Sequence, residues 1–98
     1  VQALRDSNGV VVRVSDEQLL EAIRRGGKHG VFAEPAAAAA LAGITSGVES
    51  KIVGQDDFVV AMMTGTGLKD IRSSIRAGGE PIRIEPNLDA VATALDRD

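Results

Sequence analysis

The feature that most constrains the fold is a nearly continuous apolar run at residues 57–63, which leads directly into Thr64-Gly65-Thr66-Gly67. Such runs are typical of strands that are covered on both faces, as in a parallel sheet. The sequence upstream can supply covering helices. Ser15, with Gln18 three residues later, begins one helix as a capping box, and Pro35 begins a second, alanine-rich helix. The pattern therefore predicts an α/β fold.

The remaining segments continue the alternation of strands and helices. Their order, β-α-α-β-α-β-α, predicts one α/β segment over residues 1–98, with three layers: a partial parallel sheet and flanking helices. Gly26-Gly27 and Ser46-Gly47 are expected to end the first two helices. The other expected elements are strands at 10–14 and 81–84, a helix at 68–77, and a last helix capped by Asn87.

Composition excludes several classes of function. The 98 residues, 44% apolar and 26% charged, suit one small globular domain of marginal stability. A net charge of −3 and only two aromatic residues indicate no nucleic-acid partner. The apolar runs fall far short of the roughly 20 residues that cross a bilayer, so no membrane partner is expected.

The polar residue types narrow the chemistry further. Cysteine is absent and His29 is the one histidine, so no disulfide, thiolate nucleophile or metal site is expected. The N-terminus shows no basic region followed by an apolar run, and a cytoplasmic location is expected. The first residue is Val rather than Met, from which we expect a fragment or a processed chain.

Two groups of residues are candidates for a functional site. Thr64-Gly65-Thr66-Gly67 follows the carboxyl end of the expected central strand, where ligands gather in open α/β sheets. Its glycines permit close approach and positive φ, although a simple strand-to-helix turn is the alternative, and the motif fits no nucleotide fingerprint. Glu34 is either a surface residue at a helix start or a buried carboxylate that needs a partner.

Taken together, these groups resemble a known family. Gly30-Val31-Phe32-Ala33-Glu34-Pro35, which runs into five alanines, and Thr64-Gly65-Thr66-Gly67-Leu68-Lys69-Asp70 are similar to the C-terminal part of threonine synthase. That family consists of fold-type-II pyridoxal-phosphate enzymes related to tryptophan synthase β and the threonine dehydratases. The resemblance spans nearly the whole chain, and the Gly-Leu-Lys-Asp ending favours threonine synthase over the dehydratases.

The resemblance implies the C-terminal portion of a tryptophan synthase β-like fold and a lyase of threonine biosynthesis. The full-length enzyme would convert O-phospho-L-homoserine and water into L-threonine and phosphate, with pyridoxal phosphate as the electron sink. By position, Thr64 would place its hydroxyl at the pyridine nitrogen of the cofactor. Gly65 and Gly67 would shape the turn beside the ring, and Glu34 would lie near the cofactor rim.

The resemblance also implies groups that this chain does not contain. The family's cofactor-binding lysine lies in a Ser-x-Lys segment of the N-terminal half, and its glycine-rich phosphate cradle lies in the middle; neither pattern occurs here. We therefore expect no catalytic residue, no cofactor binding and no activity in the chain by itself. Lys69 and Asp70 are expected to be structural.

The expected partners are the missing N-terminal part of the same enzyme, a small phosphorylated amino-acid substrate and further copies in a homo-oligomer. Two alternative functions stay open. One is a stand-alone, non-catalytic ligand- or protein-binding module, and the other is part of a threonine or serine dehydratase.

Overall fold

The computed structural model describes residues 1–96, whose regular elements are all helical. The packed part consists of α3 and α4, each against α2. The short first helix, α1, is not anticipated by the sequence patterns. The elements are α1 (Gln2–Asp6), α2 (Asp16–Lys28), α3 (Pro35–Glu49), a 3₁₀ turn (Gly67–Lys69), α4 (Ile71–Gly78) and α5 (Leu88–Leu95).

The start of α2 is confirmed as a capping box. The Ser15 hydroxyl accepts a hydrogen bond from the Gln18 N–H at 3.2 Å, and the Gln18 side chain accepts one from the Ser15 N–H at 2.8 Å. The predicted stop at Gly26-Gly27 is wrong, because the helix continues to Lys28. Gly26 lies close to the chain that follows the helix, since a Cβ there would lie 3.2 Å from the Val31 carbonyl oxygen.

The other helix ends combine confirmed and corrected predictions. Pro35 occupies the first turn of α3 as expected, but α3 ends at Glu49 and passes through the expected stop at Ser46-Gly47. Asn87 caps α5 as expected, accepting a hydrogen bond from the Ala90 N–H at 2.8 Å. No helix within residues 1–96 has both the length and the apolar character needed to cross a bilayer.

The core is built mostly from alanine. Small side chains let α3 approach α2 closely, but each buries little apolar area, and the hydrophobic gain is about 25 cal/mol per Å² buried. The packed helices therefore have a thin core for their length. Its buried members are Ala22, Ile23, Ala33, Ala37, Ala38, Ala42 and Ala77.

The predicted parallel sheet is not confirmed by residues 1–96. The segments expected to be strands, 10–14, 57–63 and 81–84, run between the helices without strand pairing, and most of their side chains are exposed. One antiparallel bridge, between Ala33 and Thr66, is the β-type pairing in this part of the chain. A strand is stabilised by hydrogen bonds to its neighbours, and these segments find no neighbour among the described residues.

Candidate functional site

The two segments singled out from the sequence meet at the N-terminal end of α3. The Glu34 N–H donates to the Gly65 carbonyl oxygen at 3.1 Å, and the Gly67 N–H donates to the Phe32 carbonyl oxygen at 3.0 Å. These two hydrogen bonds flank the Ala33–Thr66 bridge. We call residues 31–34 and 64–67 the junction. The fold thus joins groups that lie about thirty residues apart in the chain.

Glu34 directs its carboxylate across the junction rather than onto its own helix. It is the N-cap residue of α3, yet its side chain forms no capping hydrogen bond. Its Oε1 lies 3.0 Å from Nζ of Lys69, in an ion pair whose side chains are 16% (Glu34) and 63% (Lys69) exposed. Of the two alternatives left open for Glu34, the structure therefore favours a largely buried carboxylate with a partner.

The pairing of Glu34 with Lys69 could not be found from sequence patterns. The two residues are 35 positions apart in the chain. Helical spacing rules relate residues three or four apart, so they give no signal for a pair of this kind. Only the junction brings the two charges together.

Gly65 and Gly67 leave space that neighbouring side chains occupy. The positive-φ glycines of the described chain are Gly30 and Gly79, so φ does not explain the glycines of the turn. A Cβ on Gly65 would overlap the Glu34 carboxylate and lie 2.9 Å from its Cγ, and a Cβ on Gly67 would lie 2.6 Å from Cδ2 of the Phe32 ring. Non-bonded carbon atoms prefer separations of about 3.5–4.0 Å. The close approach predicted for these glycines is thus made by the chain's own side chains.

The two threonines of the turn have different environments. Thr66 is the N-cap of the 3₁₀ turn, where its hydroxyl accepts a long hydrogen bond of 3.5 Å from the Leu68 N–H. Thr64 is exposed, and its hydroxyl takes no part in the side-chain hydrogen bonds among residues 1–96. It lines a shallow cavity of about 260 Å³ together with Val31, Phe32, Ala33, Met63, Gly65 and Thr66.

Asp70 anchors the helix that follows the turn. Its two carboxylate oxygens accept hydrogen bonds from the Ser73 N–H at 3.0 Å and from the Ser73 hydroxyl at 2.8 Å. The backbone N–H of Ser73, followed by its hydroxyl, lowers the pKa of Asp70 below its ordinary value. The Ser74 hydroxyl also donates to the Gly67 carbonyl oxygen at 3.1 Å, which ties α4 to the end of the junction.

A comparison of the first two thirds of the chain with known protein families shows the family to which it belongs. Residues 1–65 match the family model described as "Pyridoxal-phosphate dependent enzyme", and this span includes Glu34, Thr64 and Gly65. The chain belongs to the pyridoxal-phosphate dependent enzyme family. Membership implies the tryptophan synthase β-like fold and pyridoxal phosphate as the cofactor of the full-length enzyme.

Individual relatives extend the similarity past the turn. The chain is 38% identical over 96 residues to the threonine synthase of Methanocaldococcus jannaschii. The matched region covers 97% of this chain and 24% of that enzyme. It is 48% identical over 71 residues to the threonine synthase of Bacillus sp. (strain ULM1), covering 71% of this chain and 20% of that enzyme. It is 38% identical over 96 residues to the threonine synthase of Synechocystis sp., and this match covers 95% of this chain and 25% of that enzyme. The chain thus spans about a quarter of the length of the relatives that it matches.

The described residues fit one edge of pyridoxal phosphate. The junction offers an exposed hydroxyl at Thr64, beside an open cavity, and a hydroxyl can hydrogen-bond to a pyridine nitrogen. No lysine of this chain lines the cavity. Of its three lysines, Lys69 is paired with Glu34, while Lys28 and Lys51 are exposed and do not line the cavity.

Proposed function

We propose that this chain is the wall that faces the cofactor ring in a threonine synthase. The whole enzyme would convert O-phospho-L-homoserine and water into L-threonine and phosphate, and residues 1–98 would form a single segment of its C-terminal part. The observation that carries the proposal is the junction, which sets the Thr64 hydroxyl beside an open cavity in a chain similar to threonine synthases over nearly its whole length.

When bound, pyridoxal phosphate supplies an electron sink for elimination and addition at the substrate's carbon atoms. In our proposal Thr64 hydrogen-bonds to the ring nitrogen. A neutral hydroxyl, unlike a carboxylate, does not stabilise a proton at that nitrogen, and so it moderates the electron sink. Gly65 and Gly67 shape the turn beside the ring, because they leave space that the Glu34 and Phe32 side chains fill. Glu34 contributes to the rim of the site through its packing on Gly65.

The proposed partner is the remainder of the same enzyme, with which the chain would assemble into a homo-oligomer. The chain has 8006 Å² of accessible surface, whereas size scaling gives about 5,300 Å² for a compact protein of 10.2 kDa. Its radius of gyration is 17.6 Å, against about 13 Å for a compact domain of this length. In our proposal, this excess of about 2,700 Å² is surface that the remainder of the enzyme would cover.

A partner of this kind would also explain the unpaired segments. Strands from the remainder of the enzyme would complete the sheet that residues 10–14, 57–63 and 81–84 cannot form among themselves. It would bring the cofactor-binding lysine and the phosphate cradle as well. We therefore expect the 98-residue chain to be inactive and not to hold pyridoxal phosphate by itself. A cytoplasmic location stays a prediction.

The first test is the mass of this gene's product in its native host, followed by an assay of that product. We expect several hundred residues and release of phosphate from O-phospho-L-homoserine. A product near 10.2 kDa would refute the enzyme proposal and support a stand-alone binding module. Release of ammonia from L-threonine or L-serine, without release of phosphate, would identify a dehydratase instead.

The role of Thr64 is tested in the same full-length product. Thr64→Val removes the hydroxyl at nearly constant volume, and loss of a hydrogen bond at a buried cofactor should lower the rate of phosphate release about 5-fold to 100-fold. Thr64→Ser keeps the hydroxyl and should retain most of the activity. Thr93→Val, on the exposed face of α5, is the matched control. Equal activity and equal cofactor absorbance in Thr64→Val and Thr93→Val would remove Thr64 from the site.

A further inference from the structure

We infer that Lys69 is a positioning residue, which holds the Glu34 carboxylate over Gly65 and thereby fixes the turn that carries Thr64. The inference deepens the proposed function, since that proposal assigns Thr64 to the cofactor ring. In this role Lys69 touches neither cofactor nor substrate. It acts through Glu34, and its contribution is present before any ligand binds.

The Glu34 carboxylate occupies the space that a side chain at position 65 would take. A Cβ on Gly65 would overlap Oε1 of Glu34, and the same oxygen accepts a hydrogen bond from Nζ of Lys69 at 3.0 Å. The carboxylate is therefore packed between the backbone of the turn and the ammonium group. Any movement of this carboxylate away from Lys69 would open the space above Gly65.

The charge of Glu34 explains why a cation is needed at this place. With 16% of its side chain exposed, Glu34 has lost much of its contact with water. A carboxylate in that setting needs a partner, and Glu34 does not use the free N–H groups of α3 for this purpose. Without the cation of Lys69, the favourable position for the carboxylate would be out in solvent, away from the junction.

The backbone of Lys69 is held firmly enough for this task. It lies at the end of the 3₁₀ turn, where the Lys69 N–H donates to the Thr66 carbonyl oxygen at 3.1 Å. On the other side, Asp70 caps α4. The long stem of Lys69 then spans from this fixed backbone to Glu34, while its exposed portion remains solvated. The ion pair thus adds a side-chain link to the two backbone hydrogen bonds of the junction.

The test measures amide hydrogen exchange in the 98-residue chain without cofactor. The reporters are the Glu34 and Gly67 N–H groups, whose hydrogen bonds join the two segments. Lys69→Met keeps the stem and removes the charge, and it should speed exchange at both amides about twofold to fivefold. Lys69→Arg restores the charge and should return both rates close to those of the parent chain.

Two comparisons separate positioning from a general loss of stability. Lys51→Met removes an exposed lysine from the turn after α3 and should leave both junction amides unchanged. The Gly79 N–H, which donates to the Ile75 carbonyl oxygen at 2.8 Å, lies outside the junction and should exchange at the parent rate in Lys69→Met. Equal acceleration of all three amides would overturn the inference, because it would indicate global destabilisation.

A double variant tests whether Lys69 acts through Glu34. Glu34→Gln should accelerate the junction amides as Lys69→Met does, and the combined variant should be no faster than either single change. Multiplied effects in the combined variant would contradict the inference, as would unchanged rates in Lys69→Met. Because the readout needs no cofactor, a failed activity assay of the full-length product would refute the proposed function and leave this result standing.

Discussion

Single residues of the junction are selected by the space around them. Gly67 is buried against the ring of Phe32, and Gly65 lies under the Glu34 carboxylate. In both cases a side chain from the other segment fills the space, and the glycine leaves that space open. The packing of the turn is therefore determined by pairs of residues, one from each of two segments that are distant in the chain.

We predict that Gly67→Ala will destabilise the chain. The new methyl group would displace the Phe32 ring, and overpacking of this kind typically costs about 1–3 kcal/mol. Gly27→Ala is the matched control, because no atom lies within 4 Å of the Cβ it would add. That change in α2 should stabilise the chain by about 0.4–1 kcal/mol. Urea unfolding followed by circular dichroism measures both changes, and a neutral Gly67→Ala would show that the ring moves freely.

At the scale of elements, the helices differ in how far they are supported by packing. α2 contributes Ala22, Ile23 and Gly26 to the buried interior, whereas no residue of α5 is buried. Both helices begin with a side-chain cap that the sequence predicts. We therefore expect the same kind of cap to contribute to global stability in α2 and only to local order in α5.

We predict different consequences when the two caps are removed. Ser15→Ala should lower the free energy of unfolding of the whole packed unit by about 1 kcal/mol. Asn87→Ala should fray α5, visible as faster amide exchange at Ala90, and leave the urea midpoint of the packed helices unchanged. A shift of that midpoint in Asn87→Ala would mean that α5 is coupled to the core.

The cap of α4 predicts a pH dependence of stability. Hydrogen bonds from Ser73 lower the pKa of Asp70 in the folded chain from its ordinary value of 3.8. Its stabilising contribution is thus complete above pH 3.8 and is lost as the pH falls through the lower, folded-state pKa. Asp70→Asn keeps an N-cap acceptor without a titrating group. The parent chain should therefore be more stable than Asp70→Asn at neutral pH, and thermal melts should show this advantage shrinking in acid.

A second carboxyl group with a lowered pKa, that of Glu17, does not disturb this comparison. The pKa of Glu17 is also lowered, by its own backbone N–H and then by the Ser15 hydroxyl. Because Glu17 is present in both chains, its contribution cancels in the difference between them. An Asp70→Asn variant whose stability follows the parent curve at every pH would show that the cap contributes no charge-dependent stability.

At the scale of the whole molecule, the chain has a larger accessible surface than a compact monomer of its mass, and many of its large apolar side chains are exposed. Phe58 is 94% exposed and Val60 is 78% exposed, both in the run that the sequence predicts to be a covered strand. Contiguous exposed apolar surface usually marks an interaction site. In our proposal, the absence of strand neighbours within residues 1–96 and the large accessible area have the same physical origin, because the remainder of the enzyme would cover this face.

We predict concentration-dependent self-association of the chain in solution. Copies of the chain would cover the exposed run when the proposed partner is missing. Val60→Lys should weaken the association seen in sedimentation velocity, because it places a charge in the contact, and it should leave the melting temperature unchanged. Gln55→Lys adds the same charge just before the run and is the control. A parent chain that stays monomeric at high concentration would contradict this prediction.

The sequence alone determined those features of this protein that depend on local interactions. The capping box at Ser15, Pro35 at the start of α3 and the cap at Asn87 depend on residues within four positions of one another, and all three are confirmed. The motifs also indicated the enzyme family, which the match to residues 1–65 confirms. Helix ends were predicted less well, since α2 continues past Gly26 and α3 past Gly47.

Contacts between distant residues decide the rest. The ion pair of Glu34 with Lys69 and the packing of Phe32 on Gly67 arise only when the two segments meet, and no periodicity encodes them. The strand at 57–63 shows the opposite case. Its apolar pattern is clear, but a strand exists only through hydrogen bonds to its neighbours, and residues 1–96 supply none. Tertiary structure therefore determined which predicted groups meet and which predicted elements form within the described residues.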